Sequence, residues 1–388
     1  CTGGPGALFW MVVAAFFGMA TKYAEALLAV KYRERLRDGR ILGGPFYYIE
    51  KGLGKKWKPL AVIFAVFGVI AGLFGTGTFV QIHGITSSVQ RVFDPCFNPN
   101  DLTSGIVIFG TAYSPSAMIS GAIITLCTAL VVIGGLKRIA KVSMVIVPFM
   151  AAAYIGLCLL ILLGNIEKIP GAISTIVQAA FNPAAFTGGA IGSLFVALQK
   201  GVARGIFSNE AGLGTEPIAA AAAQTNEPVK QALVSMTGVF LDTIIICSMT
   251  GIAIVISGAH DPALKLEGIN VTVEAFVRGL SFLPHGKEIA PFLLMSSLIF
   301  LAFTTILGWN FYSEKCLEYL IGTKRKKILL LFRSVYIAFI FIGPYLTISV
   351  VWGIADISNG LMALPNLIAL IFLSPVVAKT SKEFFDKK

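Results

Sequence analysis

Apolar residues recur along this chain in runs of about twenty or more, separated by short stretches rich in Lys, Arg, Gly and Pro. A helix gains about 1.5 Å per residue, so each run is long enough to cross the roughly 30 Å hydrocarbon core of a bilayer. The pattern predicts nine crossings: Ala7–Tyr32, Pro59–Arg91, Ser116–Gly135, Ala140–Gly164, Thr187–Gln224, Ala232–Gly258, Ile289–Tyr319, Lys327–Trp352 and Asp356–Ala378. The expected class is all-α, a polytopic membrane protein with residues 1–388 forming one integral membrane domain.

Two runs exceed what a crossing needs. Pro59–Arg91 reads as one tilted helix that runs past the membrane edge. Thr187–Gln224 differs, because 38 residues of continuous helix would extend about 57 Å. Its centre, Lys200 to Gly214, holds Lys200, Arg204, Asn209, Glu210 and four glycines, most of them within "GIFSNEAGLG". One reading is a discontinuous helix whose unpaired N–H and C=O groups bind a ligand at membrane depth. The other makes Lys200 the cytoplasmic end of a straight helix and "GIFSNEAGLG" an intracellular turn. Ligand contacts would then move to Gly188, Gly189, Gly192 and Ser193.

Charge fixes the expected orientation. With Cys1 outside and alternating spans, 25 of the 31 Lys and Arg residues fall inside. Five (Arg91, Lys168, Lys265, Arg278, Lys287) fall outside, and Lys22 lies within a span. By the positive-inside rule the C-terminus is cytoplasmic and the location is the plasma (inner) membrane. The same bias accounts for the net charge of +11, so no nucleic-acid partner is expected. Only 13% of residues are charged, against about 25% in soluble domains, and 56% are hydrophobic. Six scattered cysteines and three separated histidines give neither a disulfide framework nor a metal cluster. An intramembrane enzyme would need converging catalytic groups that this distribution does not supply. The chain opens at "CTGGPGALFW" without Met, so a preceding segment is expected.

Polar residues inside apolar runs are the candidate chemistry. Leu301, Thr304 and Thr305 stand at i, i+3 and i+4 on one helix face, where two hydroxyls and a carbonyl suit sodium, a hard cation. The alternative is that these threonines bond back to their own helix. Trp309, four residues beyond Thr305, sets a large aromatic beside that hydroxyl. "GLFGTGTFVQIHG" offers glycines for close helix packing, with Thr78, Gln81 and His83 as polar groups. Gln81 is an amide that needs partners in lipid, while His83 reads as a satisfied polar residue near the outer end or a proton relay. Asp242 is either functional or paired with a Lys or Arg. Lys22 and Glu25 read as a structural pair on one helix face.

The motifs "GGPGALFWM", "FGMATKYAE", "GGPFYYIEKGL", "GIFSNEAGLG", "ALVSMTGVFLDT" and "TTILGWNFYSEKCLEY" closely resemble the alanine/glycine:cation symporter family. The resemblance implies a LeuT-type inverted-repeat fold, with five core helices related to the next five by a pseudo-two-fold axis, plus one extra helix. The nine crossings would be nine of eleven transmembrane helices, core helices two to ten. The extra helix and core helix one would be missing from an N-terminally truncated chain unable to transport by itself. The implied function is a secondary active symporter, not an enzyme, coupling sodium influx to uptake of alanine or glycine, with no cofactor and with a monomer as its expected form. Rival readings are proton coupling or another amino acid on the same fold, and an ion channel.

Carried over by position, the Leu301 carbonyl with Thr304 and Thr305 resembles a sodium site on core helix eight. Gln81, with Thr78 nearby, resembles a substrate contact on core helix three, and Phe207, Ser208, Asn209 and Glu210 resemble the core-helix-six contribution. Trp309 resembles a wall that keeps the side-chain space small. His83 stands where the family pattern has Asn in "Q-x-N", which leaves side-chain selectivity open, and the loop from Phe93 to Pro115 with its apolar "GIVIFG" is longer than the pattern.

Overall fold

A computed structural model describes residues 3–36, 39, 41–98, 101–108, 110–181, 192–266, 268–322 and 325–387, without the side chains of 136–137, 192–194 and 348. Among these residues the protein is helical apart from two short antiparallel ribbons. One pairs β1 (Glu34–Arg35) with β2 (Ile41–Leu42), and the other pairs β3 (Ile106–Ile108) with β4 (Thr111–Tyr113). Ile106–Ile108 of "GIVIFG" supplies β3 of the second ribbon. Its loop is pinned at the base by Asp94, which accepts bonds from the Ser114 hydroxyl and the Ser116 amide. Those bonds, the Ser114 hydroxyl first, hold the Asp94 carboxyl below its usual range.

The helices are α1 (Gly6–Lys31), α2 (Pro45–Gly52), α3 (Lys58–Phe74), α4 (Phe79–Phe93), α5 (Pro115–Ile133), α6 (Leu136–Gly164), α7 (Ile169–Phe181) and α8 (Gly192–Asn209). They continue with α9 (Glu216–Ala220), α10 (Pro228–Val239), α11 (Ser248–Ile256), α12 (Ile269–Gly279), α13 (Gly286–Ile321), α14 (Lys326–Ile342) and α15 (Ile348–Phe385). A π-helical segment, Phe240–Cys247, joins α10 to α11. Eight segments among the described residues are long and apolar enough to cross a membrane. They match eight of the nine expected crossings. The fifth is described only from α8 onward and is not among the eight.

Three boundaries differ from the hydropathy reading. The second crossing is interrupted between Phe74 and Phe79, where "GTGT" leaves the helix. The freed groups find partners inside the protein: Thr78 donates to the Leu73 carbonyl at 2.7 Å, Tyr336 donates to the Gly77 carbonyl at 2.8 Å, and Thr76 pairs with Asn359. Hydropathy missed this break because a satisfied interruption leaves the apolar run intact. The eighth crossing ends at Ile342, where Gly343–Tyr345 forms a 3-10 turn containing Pro344, so Trp352 belongs to α15 instead. In the fifth, Lys200 and Arg204 are helical, and the break comes later and is shorter than expected.

Helix α13 is the spine. It contributes Trp309 and Cys316 to a core with α1, α2, α3 and α15, and Ile306 and Leu307 to a second core with α4, α5 and α14. Ala290 and Leu294 enter a third core with α6, α11 and α12. Close approach to α3 requires glycine, since a Cβ on Gly72 would lie 1.6 Å from Ser313 Oγ.

Candidate functional site

The broken crossing organises the site. Helix α8 runs parallel to α1, with Gly201 against Ala7 and Trp10, Gly205 against Met11, and Ala211 and Asn209 beside Gly18. The break after Asn209 is therefore level with the second half of α1. Three residues within five are left-handed: Glu210 at φ 56°, Gly212 at 86° and Gly214 at 77°. No α-helix continues through such a sequence, and glycine serves at two of the positions because it has no Cβ penalty. Ala211, Leu213 and Thr215 are buried, so the segment is neither a surface turn nor open backbone.

Its polar groups are taken up by α1, α13 and α15 and by the end of α8. Asn209 Oδ1 accepts from the Ala211 amide, an Asx turn that leads the chain out of α8. Glu210 holds its strained backbone through both oxygens: Oε1 accepts from Trp309 Nε1 at 2.9 Å, and Oε2 from the Thr215 hydroxyl at 2.5 Å. The Gly214 amide donates to Glu25 Oε1 at 3.1 Å, and the Gly212 carbonyl accepts from Asn366 Nδ2 at 2.9 Å. Asn366 Nδ2 also donates to Glu25 Oε1, and its Oδ1 accepts from the Tyr48 hydroxyl. Lys22 reaches Glu216 at 2.9 Å. The expected helix-face pair is thus modified: Lys22 makes its ion pair with Glu216 of α9 and Glu25 makes its hydrogen bonds with the break and α15, while Lys22 stays a charge neighbour of Glu25 along α1.

On the other side of Asn209, Ser208 donates to Asp242 Oδ2 at 2.6 Å and Thr243 to the same oxygen at 2.9 Å. Asn209 Nδ2 donates to Thr243 Oγ1 at 3.1 Å. Asp242 therefore meets one hydroxyl from the end of α8 and one from its neighbour Thr243, and no Lys or Arg among the described residues pairs with it. It sits in the π-helical segment, a local widening that often accompanies functional sites. Phe207 packs on Trp352 of α15, centroids 4.9 Å apart. Arg204 lies 4.2 Å over the same indole and pairs with Asp356 at 2.8 Å.

Leu301, Thr304 and Thr305 share one half-exposed face of α13, as the spacing predicts. Both hydroxyls donate to the Leu301 carbonyl at 2.9 Å, and Thr304 also to Phe300. Trp309 is buried one turn further and bonded to Glu210, which links this face to the break. Gln81 is half-buried with no hydrogen-bond partner among the described residues, on a helix face it shares with Gly84. A Cβ at Gly84 would meet nothing within 4 Å, so that face is open. Thr78 is buried and committed to Leu73, and His83 bonds Ser87 one turn along its own helix. Gly188 and Gly189 lie outside the described residues, as do the surroundings of Gly192 and Ser193.

Sequence reasoning missed Glu216, Asn366, Tyr48 and the Arg204–Asp356–Trp352 group. One signal was present. Asn366 is an amide inside the last apolar run, and such groups in lipid need a partner.

The whole chain, residues 1–388, matches the sodium:alanine symporter family. It is 45% identical over 388 residues to the sodium/alanine symporter AgcS of Methanococcus maripaludis, covering 98% of this chain and 78% of that protein. An uncharacterized transporter of Haemophilus influenzae is 51% identical over 99% of this chain and 78% of its own length. A Bacillus subtilis protein named as a probable sodium/glutamine symporter, GlnT, is 37% identical over the full chain and 73% of its own length. Broken, internally satisfied helices and a match from end to end lead to one conclusion: the chain belongs to the sodium:alanine symporter family, whose members are sodium-coupled amino-acid transporters and not enzymes.

Proposed function

We propose that this protein carries a small neutral amino acid, alanine or glycine, together with sodium, on a LeuT-type inverted-repeat fold with the Cys1 end outside and the C-terminus cytoplasmic. Sodium occupies the Leu301–Thr304–Thr305 face. The hydroxyls that now bond back along α13 rotate to the ion, and the Leu301 carbonyl completes that side of its shell. The substrate lies between Gln81 on α4 and the end of α8, where Ser208 and Asn209 supply polar contacts, Phe207 an apolar one, and Trp309 backs the wall. Thr78 acts indirectly, by holding the start of α4 through Leu73.

The observation that carries this reading is the Trp309–Glu210 hydrogen bond. It ties the helix bearing the two threonines to the broken crossing, so an ion on one alters the position of the other. Coupling is then a matter of linkage: sodium raises amino-acid affinity and the amino acid raises sodium affinity by the same factor. Alternating access follows from movement of one bundle about the site.

The test is accumulation of labelled alanine in proteoliposomes under an imposed sodium gradient. Uptake against the alanine gradient is expected, with glycine competing and glutamine not. Accumulation driven equally by a proton gradient without sodium overturns the coupling ion, glutamine competing as well as glycine overturns the substrate class, and purely passive flux would make the protein a channel.

A further inference from the structure

We propose that Glu25 is a proton-binding site: its carboxyl carries a proton on Oε2 while the 210–215 segment is closed, and loss of that proton loosens the tie between α1, this segment and α15. The inference does not rest on the sodium or substrate residues assigned above.

The cluster around the break holds three carboxyls, Glu25, Glu210 and Glu216, and one cation, Lys22. If all were ionised, two negative charges would stand uncompensated inside the protein. Allocation of the oxygens shows where the excess falls. Glu210 accepts a donor on each oxygen, and Glu216 Oε2 takes Lys22 while its side chain keeps 27% exposure. Glu25 is 0% exposed, its Oε1 takes both the Gly214 amide and Asn366, and its Oε2 is buried with no protein partner among the described residues. An ionised oxygen buried without a protein donor is the costly arrangement, and protonation removes the charge where the protein's own donors support it least.

Among the described residues, no other group on the surrounding elements supplies a second cation. On α2, Tyr48 is spent on Asn366, while Glu50 and Lys51 pair with Lys58 and Glu34. On α13, Tyr312 is a neutral phenol near Glu210 and Glu216, and Lys315 and Glu314 pair with Glu318 and Arg333. On α8, Arg204 is held by Asp356, and Lys200 stands at the far end of α1 beside Gly3. Asp242, in the π-helical segment, faces Ser208, and Lys379 on α15 pairs with Glu383. A sodium ion would need several oxygens, but the neighbouring Gly212 carbonyl is already taken by Asn366, leaving Oε2 alone.

The consequence is mechanical as well as electrostatic. Glu25 and Asn366 together hold the Gly214 amide and the Gly212 carbonyl, so a new charge on Glu25, buried beside Glu216, favours an opened arrangement in which water reaches it at the point where three elements meet.

Two measurements on the purified protein in lipid test this. Infrared difference spectra between acidic and alkaline pH are expected to show a protonated-carboxyl C=O band that titrates and is absent from Glu25→Gln. In sodium-driven alanine uptake with equal pH on both sides, the wild type is expected to show a one-proton limb of up to about tenfold per pH unit, and Glu25→Gln to vary less than about twofold over the same range. Should Glu25→Gln fail to fold, Glu216→Gln serves instead; removing a neighbouring negative charge is expected to move the infrared and uptake transitions to lower pH. The proposal is overturned by an unchanged band or pH profile in Glu25→Gln, by transitions that stay in place in Glu216→Gln, or by a Glu25→Gln defect confined to the sodium dependence.

Discussion

The side chain on which most of the site converges is Glu210, a residue with a Cβ in a left-handed backbone conformation. That conformation costs roughly 1–2 kcal/mol relative to a helical one, and it persists because Trp309 and Thr215 each bind one carboxylate oxygen. Trp309→Phe keeps the ring and removes the indole N–H, leaving Glu210 Oε1 without its donor. A loss of about 1.5–3 kcal/mol is expected, the range for a hydrogen bond to a charged group, visible as a lowered melting temperature of the detergent-purified protein. An unchanged melting curve would mean that Glu210 finds another donor. Both residues stood out in the sequence, but the bond between them did not, since nothing local relates positions separated by 99 residues.

Among elements, α3 and α13 are packed closely enough to require glycine. Gly72 admits Ser313, whose Oγ would be 1.6 Å from an added Cβ, and Gly68 admits Cys316, whose Sγ would be 2.5 Å away. Reading Gly72 as a packing residue agrees with the structure, while Gly68, four residues earlier on the same face, lies outside the motif on which that reading rested. Gly72→Ala forces α3 and α13 apart and is expected to cost at least the 1–3 kcal/mol typical of overpacking, with Trp309 and Gly77 displaced as well. Reduced folded yield and a lower melting temperature should follow, with partial recovery in Gly72→Ala combined with Ser313→Gly. A double variant no better than the single would point to a different cause. By contrast, the interruption at Gly75–Thr78 was not legible, because its carbonyls are satisfied by Thr78 and by Tyr336 on α14 rather than by water.

At the scale of the whole molecule, α13 reaches every core and carries the threonine face, so an ion bound there, as proposed, would be felt at the break through Trp309. Thr305→Ala is expected to weaken sodium's effect on alanine affinity and alanine's effect on sodium affinity by the same factor, as linkage requires. Titration calorimetry at several sodium concentrations measures both arms. Alanine affinity that retains its full sodium dependence in Thr305→Ala would remove this face from the ion site.

The sequence by itself determined the class of the molecule, eight of its membrane-spanning segments and its family. Each of these is a sum over neighbouring residues or a contiguous motif, and neither needs a distant partner to be read. Only the tertiary structure decided where the chain leaves the helix and what answers it there. Lys22 joins Glu216, Glu25 turns to Gly214 and Asn366, and Asp242 meets Ser208 rather than a basic residue. A buried polar group takes the partner that folding brings within about 3 Å, and those partners lie on other helices, which hydropathy and spacing along one helix cannot register.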